Sequence, residues 1–336
     1  MSEDSETLDT PVTVHDISKT SMKIWYHDIY TNGIHPDARF PRDRYTILLD
    51  RLKSHKRSEL FTFRKPEEVS KSDLLIAHDA KYVDDFLSGT LTEKEIKRIG
   101  LTPWTPEIIP RTRFLMGGAT AALEQVVNYG GIAGNMAGGT HHAHYDFGSG
   151  YCIFNDLAVC ALLAIDKYGL DRVVILDFDV HQGDGTATIL QNVSDALTIS
   201  IHCQENFPFR KSVSDHDLPI SADASNDEYL AKVEQAITLA TEFEPDIILY
   251  QAGVDGLAMD SLGKLNVTRK AMQQRNRMVF DISLKYSIPT VVFMGGGYSK
   301  PISHTIDAFA DLFLDAALFN QKMLLQKNMT QSTHSI

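Results

Sequence analysis

The sequence predicts a single α/β domain built on a mostly parallel central sheet, with helices on both faces of that sheet. Short apolar runs rich in branched residues alternate with longer amphipathic segments along most of the chain, which is the pattern of repeated β-α units. Three of the apolar runs end in polar or glycine-rich stretches, namely DFDVH, QAGVD and MGGGY. Because ligands of open α/β sheets bind beyond the carboxyl ends of the strands, these stretches predict an active site at one edge of the sheet.

Size and composition restrict the class of protein. The chain has 336 residues, of which 43% are hydrophobic and 23% are charged, so it can bury the core of one large α/β domain. Its formal net charge of −12 at pH 7 disfavours direct nucleic-acid binding and mildly favours cationic ligands such as lysine-rich peptides or polyamines. The three cysteines, Cys152, Cys160 and Cys203, suggest no disulfide framework, which favours a reducing, cytoplasmic location. No apolar run is long enough to cross a bilayer, so we expect no membrane span.

The two ends of the chain are predicted to differ from the central domain. Residues 1–21 begin with the polar, acidic stretch SEDSETLDT and lack the apolar region of a signal peptide, so we interpret them as a disordered or loosely attached extension. Residues 22–325 are predicted to form one domain, because no internal repeat and no Gly/Ser- or Pro-rich linker divides them. Residues 326–336 are predicted to be a C-terminal tail.

The N-terminal half is predicted to alternate short strands with helices. Strands are expected at 23–27, 74–77 and 132–136, and helices at 45–52, 113–129 and 155–165. The clearest helix is the second of these, because Leu115, Ala119, Leu123 and Val127 form one apolar stripe along it. The segment 100–110 contains three prolines and is predicted to be a stiff loop.

The C-terminal half continues the same alternation. Strands are expected at 173–176, 196–202, 246–250 and 289–294, and helices at 187–191, 226–241, 268–285 and 301–325. The strands are short runs of branched apolar residues, as expected for strands that are buried on both faces of a parallel sheet.

The stretch VVILDFDVHQGDG at 173–185 places four ionisable residues directly after a buried strand. These residues are Asp177, Asp179, His181 and Asp184. Burying such groups unpaired is costly, and a bound metal offsets that cost. Asp179 and His181 are two positions apart, so their side chains lie on the same side of an extended segment. A carboxylate and an imidazole suit zinc and similar divalent ions, although a simple turn rich in Asp and Gly would share part of this pattern.

A second cluster, GGTHHA at 138–143, contains the adjacent residues His141 and His142. Adjacent side chains on an extended segment point in opposite directions, but a glycine-rich loop allows both to face one cavity. Imidazole titrates near neutral pH, so the pair is suited to general acid–base catalysis. Alone, this segment is more typical of a loop than of a site.

Together these motifs resemble the zinc-dependent histone deacetylase superfamily, which includes acetoin-utilisation proteins and acetylpolyamine amidohydrolases. The resemblance covers about residues 26–298, and the motifs occur in the family's order: GGTHHA, SGYCIFND, DFDVHQGDG, SIH, QAGVDGLAMDSLG and GGGY. It implies the arginase/deacetylase-like α/β fold for residues 22–325. The stretches DARFP, IGL with Trp104, and NFPFRK look most like the class IV branch and its bacterial relatives.

The resemblance implies a role for specific residues of this chain. Asp179, His181 and Asp260 would bind zinc, with ferrous iron as an alternative because one histidine and two carboxylates suit either ion. His141 and His142 would transfer protons, with Asp177 and Asp184 as their respective hydrogen-bond acceptors, and Tyr298 would donate a hydrogen bond to the oxyanion. A structural potassium ion is implied at Asp177, Ser200 and Ile201. The substrate channel is implied at Gly150, Tyr151, either Phe207 or Phe209, and Leu262.

The expected activity is zinc-dependent hydrolysis of an N-acyl amide, by deacetylation or longer-chain deacylation of Nε-acyl-lysine. An acetylpolyamine or another small acyl amine is the alternative substrate, and a non-catalytic acyl-lysine-binding protein is a further alternative. The loop GLTPWTPE lacks the acidic residue that class I members carry there, which favours a small acylated amine or a long-chain acyl-lysine. The acyl chain length and the oligomeric state stay open.

Two other enzyme classes share single features with this sequence. Arginase-like ureohydrolases have the same fold, but their two-metal site expects the spacing Asp-x-His-x-Asp, whereas here Asp184 follows His181 by three residues. Phosphatases of the haloacid dehalogenase type begin with a strand followed by Asp-x-Asp, as in Asp177-Phe-Asp179. In those phosphatases Thr or Val is expected where this chain has His181, and the GGTHHA cluster would have no role, so both classes are disfavoured.

Overall fold

A computed structural model describes residues 20–333, with side chains to residue 329, and it contains one sheet of eight parallel strands. The strands are β1 (Met22–Trp25), β2 (Phe61–Arg64), β3 (Ile132–Asn135), β4 (Val173–Asp177), β5 (Ala196–Cys203), β6 (His216–Ile220), β7 (Ile247–Gln251) and β8 (Thr290–Phe293). Their order across the sheet is β2-β1-β3-β8-β7-β4-β5-β6. The predicted single α/β domain with a parallel central sheet is therefore confirmed.

Eleven α-helices connect or cover these strands within the described part of the chain. They are α1 (Ile29–Asn32), α2 (Arg44–Lys53), α3 (Lys71–Leu75), α4 (Ala80–Leu87), α5 (Glu93–Ile99), α6 (Ile108–Tyr129), α7 (Asp156–Asp166), α8 (Asp184–Leu190), α9 (Asn226–Glu242), α10 (Arg269–Tyr286) and α11 (Ser303–Thr333). Every residue of β3, β4, β7 and β8 is buried. Strands can be buried in this way only if helices cover both faces of the sheet, as the sequence predicted.

The interior strands lie close to their predicted positions, whereas neither edge strand was predicted from the sequence. These are β2 and β6, and β6 contains Pro219, which an edge strand tolerates because its N–H side need not be paired. The predicted strand at 74–77 is wrong, since the segment Lys71–Leu75 is helical and Ser70 accepts a hydrogen bond from the Asp73 amide at its start. Helix α6 begins five residues earlier than predicted, because Pro110 is compatible with a first helical turn.

The ends of the domain also differ from the predicted boundaries. Thr20 and Ser21 are buried, so the domain includes two residues that were assigned to the N-terminal extension, and residues 1–19 of that extension lie outside the described residues. The predicted tail 326–336 is helical as far as Thr333, because no Gly or Pro interrupts α11. Lys327 on this helix donates a hydrogen bond to the Tyr129 carbonyl at 2.9 Å. No helix in the described residues is long and apolar enough to cross a membrane.

A fully buried arginine on α10 forms hydrogen bonds with the backbone directly after β4 and directly after β7. Arg275 Nη1 donates to the carbonyls of Phe178, at 3.2 Å, and Gly253, at 2.7 Å. Its Nη2 donates to the Ala252 carbonyl at 3.2 Å. Phe178 directly follows β4, and Ala252 and Gly253 directly follow β7. One side chain therefore satisfies three carbonyls at the sheet edge where the active site was predicted.

We expect Arg275→Met to lower the free energy of unfolding by about 3 kcal/mol, because it leaves buried carbonyl oxygens without donors. The matched control is Lys270→Met on the same helix, whose side chain is exposed. A surface substitution of this kind changes the free energy of unfolding by about 0.5 kcal/mol or less. Urea unfolding of the two variants measures both effects, and equal losses would contradict the role assigned to Arg275.

Candidate active site

Two aspartates and a histidine form a buried group at the carboxyl ends of two neighbouring strands. Asp179 follows β4 and Asp255 follows β7, and the ligand atoms of Asp179, His181 and Asp255 all lie within 4.8 Å of one another. His181 Nδ1 is 3.0 Å from Asp179 Oδ1 and 3.0 Å from Asp255 Oδ2. The three residues are 1%, 8% and 0% exposed, respectively. This is the sheet edge that the three polar strand ends predicted.

The electrostatics of this group favour a bound cation. Burial, and after it repulsion by Asp179, raises the pKa of Asp255 to about 7. Although burial lowers it, hydrogen bonds to Asp179 and Asp255 raise the pKa of His181 to about 10. Two buried carboxylates thus share one imidazole, and a divalent ion would compensate their charge better than a single proton. The donor set of two carboxylates and one imidazole also leaves a coordination position open, as a catalytic metal site requires.

Backbone amides hold the outer oxygens of both carboxylates. Gly296 donates its N–H to Asp179 Oδ2 at 2.7 Å, and Val180 donates its N–H to Asp255 Oδ1 at 3.0 Å. Gly296 must approach closely to do this, because a Cβ at this position would lie 1.9 Å from Asp255 Oδ2. The GGG segment after β8 therefore contributes both a donor and the space that the buried group needs.

The sequence prediction of Asp260 as the third metal ligand needs correction. Its Oδ1 accepts hydrogen bonds from the amides of Leu262, at 2.8 Å, and Gly263, at 3.0 Å. Its Oδ2 accepts one from the Tyr298 amide at 2.6 Å. With both oxygens engaged by the backbone, Asp260 organises the loop that precedes Tyr298, and Asp255 takes its place in the buried group.

Each histidine of the GGTHHA segment lies beside its own carboxylate. His141 Nδ1 is 2.8 Å from Asp177 Oδ2, and His142 Nδ1 is 2.6 Å from Asp184 Oδ1. Both imidazoles are buried, with ring centres 4.1 Å apart, and the ring of His142 is 5.8 Å from that of His181. The Nε2 edges of the pair are thus available to groups in the cavity, since the Nδ1 atoms face carboxylates.

The two histidines have opposite protonation tendencies. Although burial lowers it, the charges of Asp177 and Asp179 raise the pKa of His141 to about 9. Burial, together with the charge of His141, lowers the pKa of His142 to about 4. Near neutral pH, His141 is therefore a cation and His142 is a neutral base.

The loop that carries these histidines is fixed by the start of α7. Asp156 accepts hydrogen bonds from the amides of Gly139, at 2.9 Å, and Thr140, at 2.7 Å. Asn155 Nδ2 donates to the Ala143 carbonyl at 3.0 Å, while its Oδ1 caps α7. Both residues are buried, and the Asn-Asp pair of the SGYCIFND motif therefore positions the histidines through the backbone of their loop.

Sequence reasoning missed several residues that support the site. His144 Nε2 lies 3.3 Å from Asp184 Oδ2, and its Nδ1 lies 2.8 Å from Thr188 Oγ1, so Asp184 serves two imidazoles. His78 Nε2 accepts the Asn155 amide at 2.9 Å. The third histidine of THHAH was a visible signal for His144. His78 is distant in sequence, and no local pattern marks it.

A cavity of about 530 Å³ runs from the surface past the buried group into the interior. All five residues of the predicted channel line it, namely Gly150, Tyr151, Phe207, Phe209 and Leu262, as does Tyr298. The ring of Phe207 lies 4.9 Å from that of His142, whereas Phe209 is 87% exposed. Phe207 therefore forms the inner wall and Phe209 the mouth. Burial raises the pKa of Tyr298 well above its ordinary value, which keeps its hydroxyl a hydrogen-bond donor.

The residues predicted for potassium lie beside the end of β4. Asp177 and Ser200 are register partners on β4 and β5, and both line a small separate cavity. Ile201, the third residue of the prediction, follows Ser200 on β5 and does not line this cavity. The potassium site itself stays a prediction.

Comparison with known proteins agrees with this geometry. Residues 38–311 match the family profile of the histone deacetylase domain. An uncharacterized protein of Picosynechococcus sp. is 38% identical over 279 residues, which cover 82% of this chain and 92% of that protein. Histone deacetylase 2 of Arabidopsis thaliana is 28% identical over 303 residues, which cover 87% of this chain and 78% of that protein.

A solved structure supports the fold independently. The crystal structure of acetylpolyamine aminohydrolase from Burkholderia pseudomallei matches with a TM-score of 0.73 at 19% identity, covering 88% of this chain and 98% of that one. At this identity the similarity concerns the fold alone. The family match spans most of the described domain and includes the buried Asp-His-Asp group and the histidine pair. The chain therefore belongs to the histone deacetylase family, whose members are hydrolases.

Proposed function

We propose that this chain hydrolyses N-acyl amides, with Nε-acyl-lysine as its substrate class, at a divalent ion held by Asp179, His181 and Asp255. One observation carries the proposal: this buried group lies beside a carboxylate-paired histidine pair, and both adjoin one cavity that opens at the surface. We propose zinc as the ion, with ferrous iron as the alternative, because two carboxylates and an imidazole suit either.

The side chains around this group have different roles in the proposed hydrolysis. A divalent ion held by Asp179, His181 and Asp255 would polarise the amide carbonyl and lower the pKa of a water molecule. His142, being neutral, accepts the proton of the attacking water, and a protonated imidazole of the pair then donates a proton to the leaving amine. His141, whose Nδ1 faces Asp177, lies beside the carbonyl oxygen on which negative charge develops. Tyr298 donates its hydroxyl hydrogen to that oxygen.

The charges along the cavity support acyl-lysine over a polyamine. At its mouth the exposed residues Arg98 and Lys264 outnumber Glu205, and its interior is lined by Arg44 and Arg111. A polycationic substrate would be repelled there, although the chain as a whole carries a net charge of −12. The uncharged side chain of an acyl-lysine enters without this penalty. The cavity volume of about 530 Å³ is also compatible with acyl groups longer than acetyl.

A hydrolysis panel tests the proposal. Acetyl-, octanoyl- and myristoyl-lysine peptides are compared with acetylputrescine and acetylspermidine, with and without a chelator. We expect chelator-sensitive cleavage of the lysine peptides. A preference for the acetylpolyamines would contradict the lysine assignment, and no cleavage by protein shown to contain metal would favour an acyl-lysine-binding function instead.

The metal assignment predicts different defects for the two aspartates of QAGVDGLAMD. Asp255→Ala should lower the bound metal content at least tenfold, because it removes one of three ligands. Asp260→Ala should retain the metal but reduce kcat/KM by about tenfold or more, because Asp260 holds the Tyr298 backbone. Elemental analysis after dialysis, together with steady-state kinetics, distinguishes them. Metal loss in Asp260→Ala, with full metal in Asp255→Ala, would restore the sequence-based ligand set.

The histidine assignment predicts two separated titrations in the metal-stripped protein. NMR of the imidazole nitrogens should give a midpoint near 9 for His141 and near 4 for His142. Asp177→Asn should lower the His141 midpoint, because it removes the nearest negative charge. Because the folded state resists protonation of His142, this residue's contribution to stability should decline as the pH falls from 6.5 towards 4. Midpoints in the reverse order would exchange the proposed roles.

A further inference from the structure

Two buried arginines, Arg44 and Arg111, line the interior end of the cavity and are called here the inner arginine pair. Arg44 lies on α2 and is 2% exposed, and Arg111 lies on α6 and is 4% exposed. Each donates a hydrogen bond to the hydroxyl of Tyr45 at 3.3 Å, so the two guanidinium groups flank one phenol. Within residues 20–329 neither arginine forms an ion pair with a carboxylate.

Backbone carbonyls compensate these two cations only in part. Arg44 donates to the carbonyls of Gly295, at 3.0 Å, and Gly297, at 3.2 Å, and Arg111 Nε donates to that of Tyr30 at 3.0 Å. The buried Nε of Arg44 has no hydrogen-bond partner. Burial, and after it the charge of Arg44, lowers the pKa of Arg111. The rings of Phe40 and Tyr45 lie against both guanidinium groups, but neither cation has a carboxylate in hydrogen-bond contact, and a bound carboxylate would supply one.

The inner arginine pair lies close to the proposed reaction centre. Arg44 donates to the carbonyl of Gly295, and the amide of the next residue, Gly296, donates to Asp179 Oδ2 at 2.7 Å. One peptide unit therefore links the arginine to a residue of the metal group. Leu115 and Gly138 line the cavity together with the pair, so apolar and small residues adjoin the two cations.

The size of the cavity determines which part of a substrate can reach the pair. A cavity of about 530 Å³ admits the side chain of a lysine substrate and leaves the peptide backbone outside, so the side chain enters from the mouth, where Phe209 and Leu262 are exposed. With its amide carbonyl at Asp179, His181 and Asp255, its acyl group then points towards the interior. The far end of the acyl group is thus the part that meets Arg44 and Arg111.

We propose that the inner arginine pair binds a carboxylate at the far end of the acyl group, so that the chain removes ω-carboxyacyl groups such as succinyl from lysine. This inference rests on the proposed amide hydrolysis. Water adds to the amide carbonyl, the C–N bond breaks, and the proton passes to the amine, which leaves lysine as an ammonium ion and the acyl group as a dicarboxylate. No further co-reactant is needed.

The test compares peptides that carry succinyl-lysine, succinamyl-lysine and acetyl-lysine. Succinamyl replaces the terminal carboxylate by an amide of the same size, so the first two differ in charge alone. Charge-assisted hydrogen bonds contribute about 1.5–3 kcal/mol, so kcat/KM for succinyl-lysine should exceed that for succinamyl-lysine by about tenfold or more. Equal or faster cleavage of the succinamyl peptide would overturn the inference while leaving amide hydrolysis intact.

Variants of Arg111 and Arg113 test whether the inner arginine pair causes the preference for succinyl-lysine. Arg111→Gln should bring the ratio of kcat/KM for succinyl-lysine to that for succinamyl-lysine close to unity. Arg113→Gln, on the same helix but paired with Glu68 and outside the cavity lining, should keep the ratio of the unaltered protein. A ratio that survives Arg111→Gln in folded protein would overturn the inference.

Binding to the metal-stripped protein provides a readout that does not require turnover. Calorimetry should show that succinamate, which carries one carboxylate, binds more tightly than the uncharged succinamide. Arg111→Gln should remove this difference in affinity. If no amide is cleaved but this difference is present, the proposed function fails and the carboxylate subsite stands. Equal binding of the two compounds would instead show that the arginines serve only the backbone carbonyls of the GGG segment.

Discussion

The burial of two carboxylates beside one imidazole, at the edge of a parallel sheet, is the constraint on which the rest of the structure depends. Asp179 and Asp255 come close together because they follow neighbouring strands, β4 and β7. Arg275 donates hydrogen bonds to backbone carbonyls that directly follow those strands. Gly296 lies close enough to Asp179 to donate a hydrogen bond from its amide. Each arrangement reduces the cost of holding charge away from water, and together they fix three ligand atoms at distances that a divalent ion can bridge.

The balance between burial and nearby charge also gives two chemically identical side chains different pKa values. His141 and His142 are adjacent in sequence and each faces an aspartate, yet their pKa values shift in opposite directions. His141 is close to both Asp177 and Asp179, so negative charge outweighs its burial. His142 pairs with Asp184, whose second oxygen faces His144, and it also lies beside a cation. Environment thus assigns a base and a cation to one glycine-rich loop, as amide hydrolysis requires.

The sequence could predict what depends on local pattern, and not what depends on distant neighbours. Branched apolar runs identified most interior strands, whereas the edge strands β2 (FTFR) and β6 (HDLPI) contain more polar residues. The motif QAGVDGLAMD contains two aspartates, and only the tertiary structure shows that Asp255 stays at the strand end while Asp260 turns to backbone amides. Arg44 and Arg111 look like surface charges in sequence, because nothing local shows that both are buried against one cavity.

Locating the bound ion tests the central claim most directly. Crystals of the zinc-loaded protein, measured at the zinc absorption edge, would show the metal by anomalous scattering. We expect one strong peak, about 2.0–2.2 Å from oxygens of Asp179 and Asp255 and from a ring nitrogen of His181. A peak bound to Asp260 in place of Asp255, or none at these residues in protein that hydrolyses acyl-lysine, would contradict this claim.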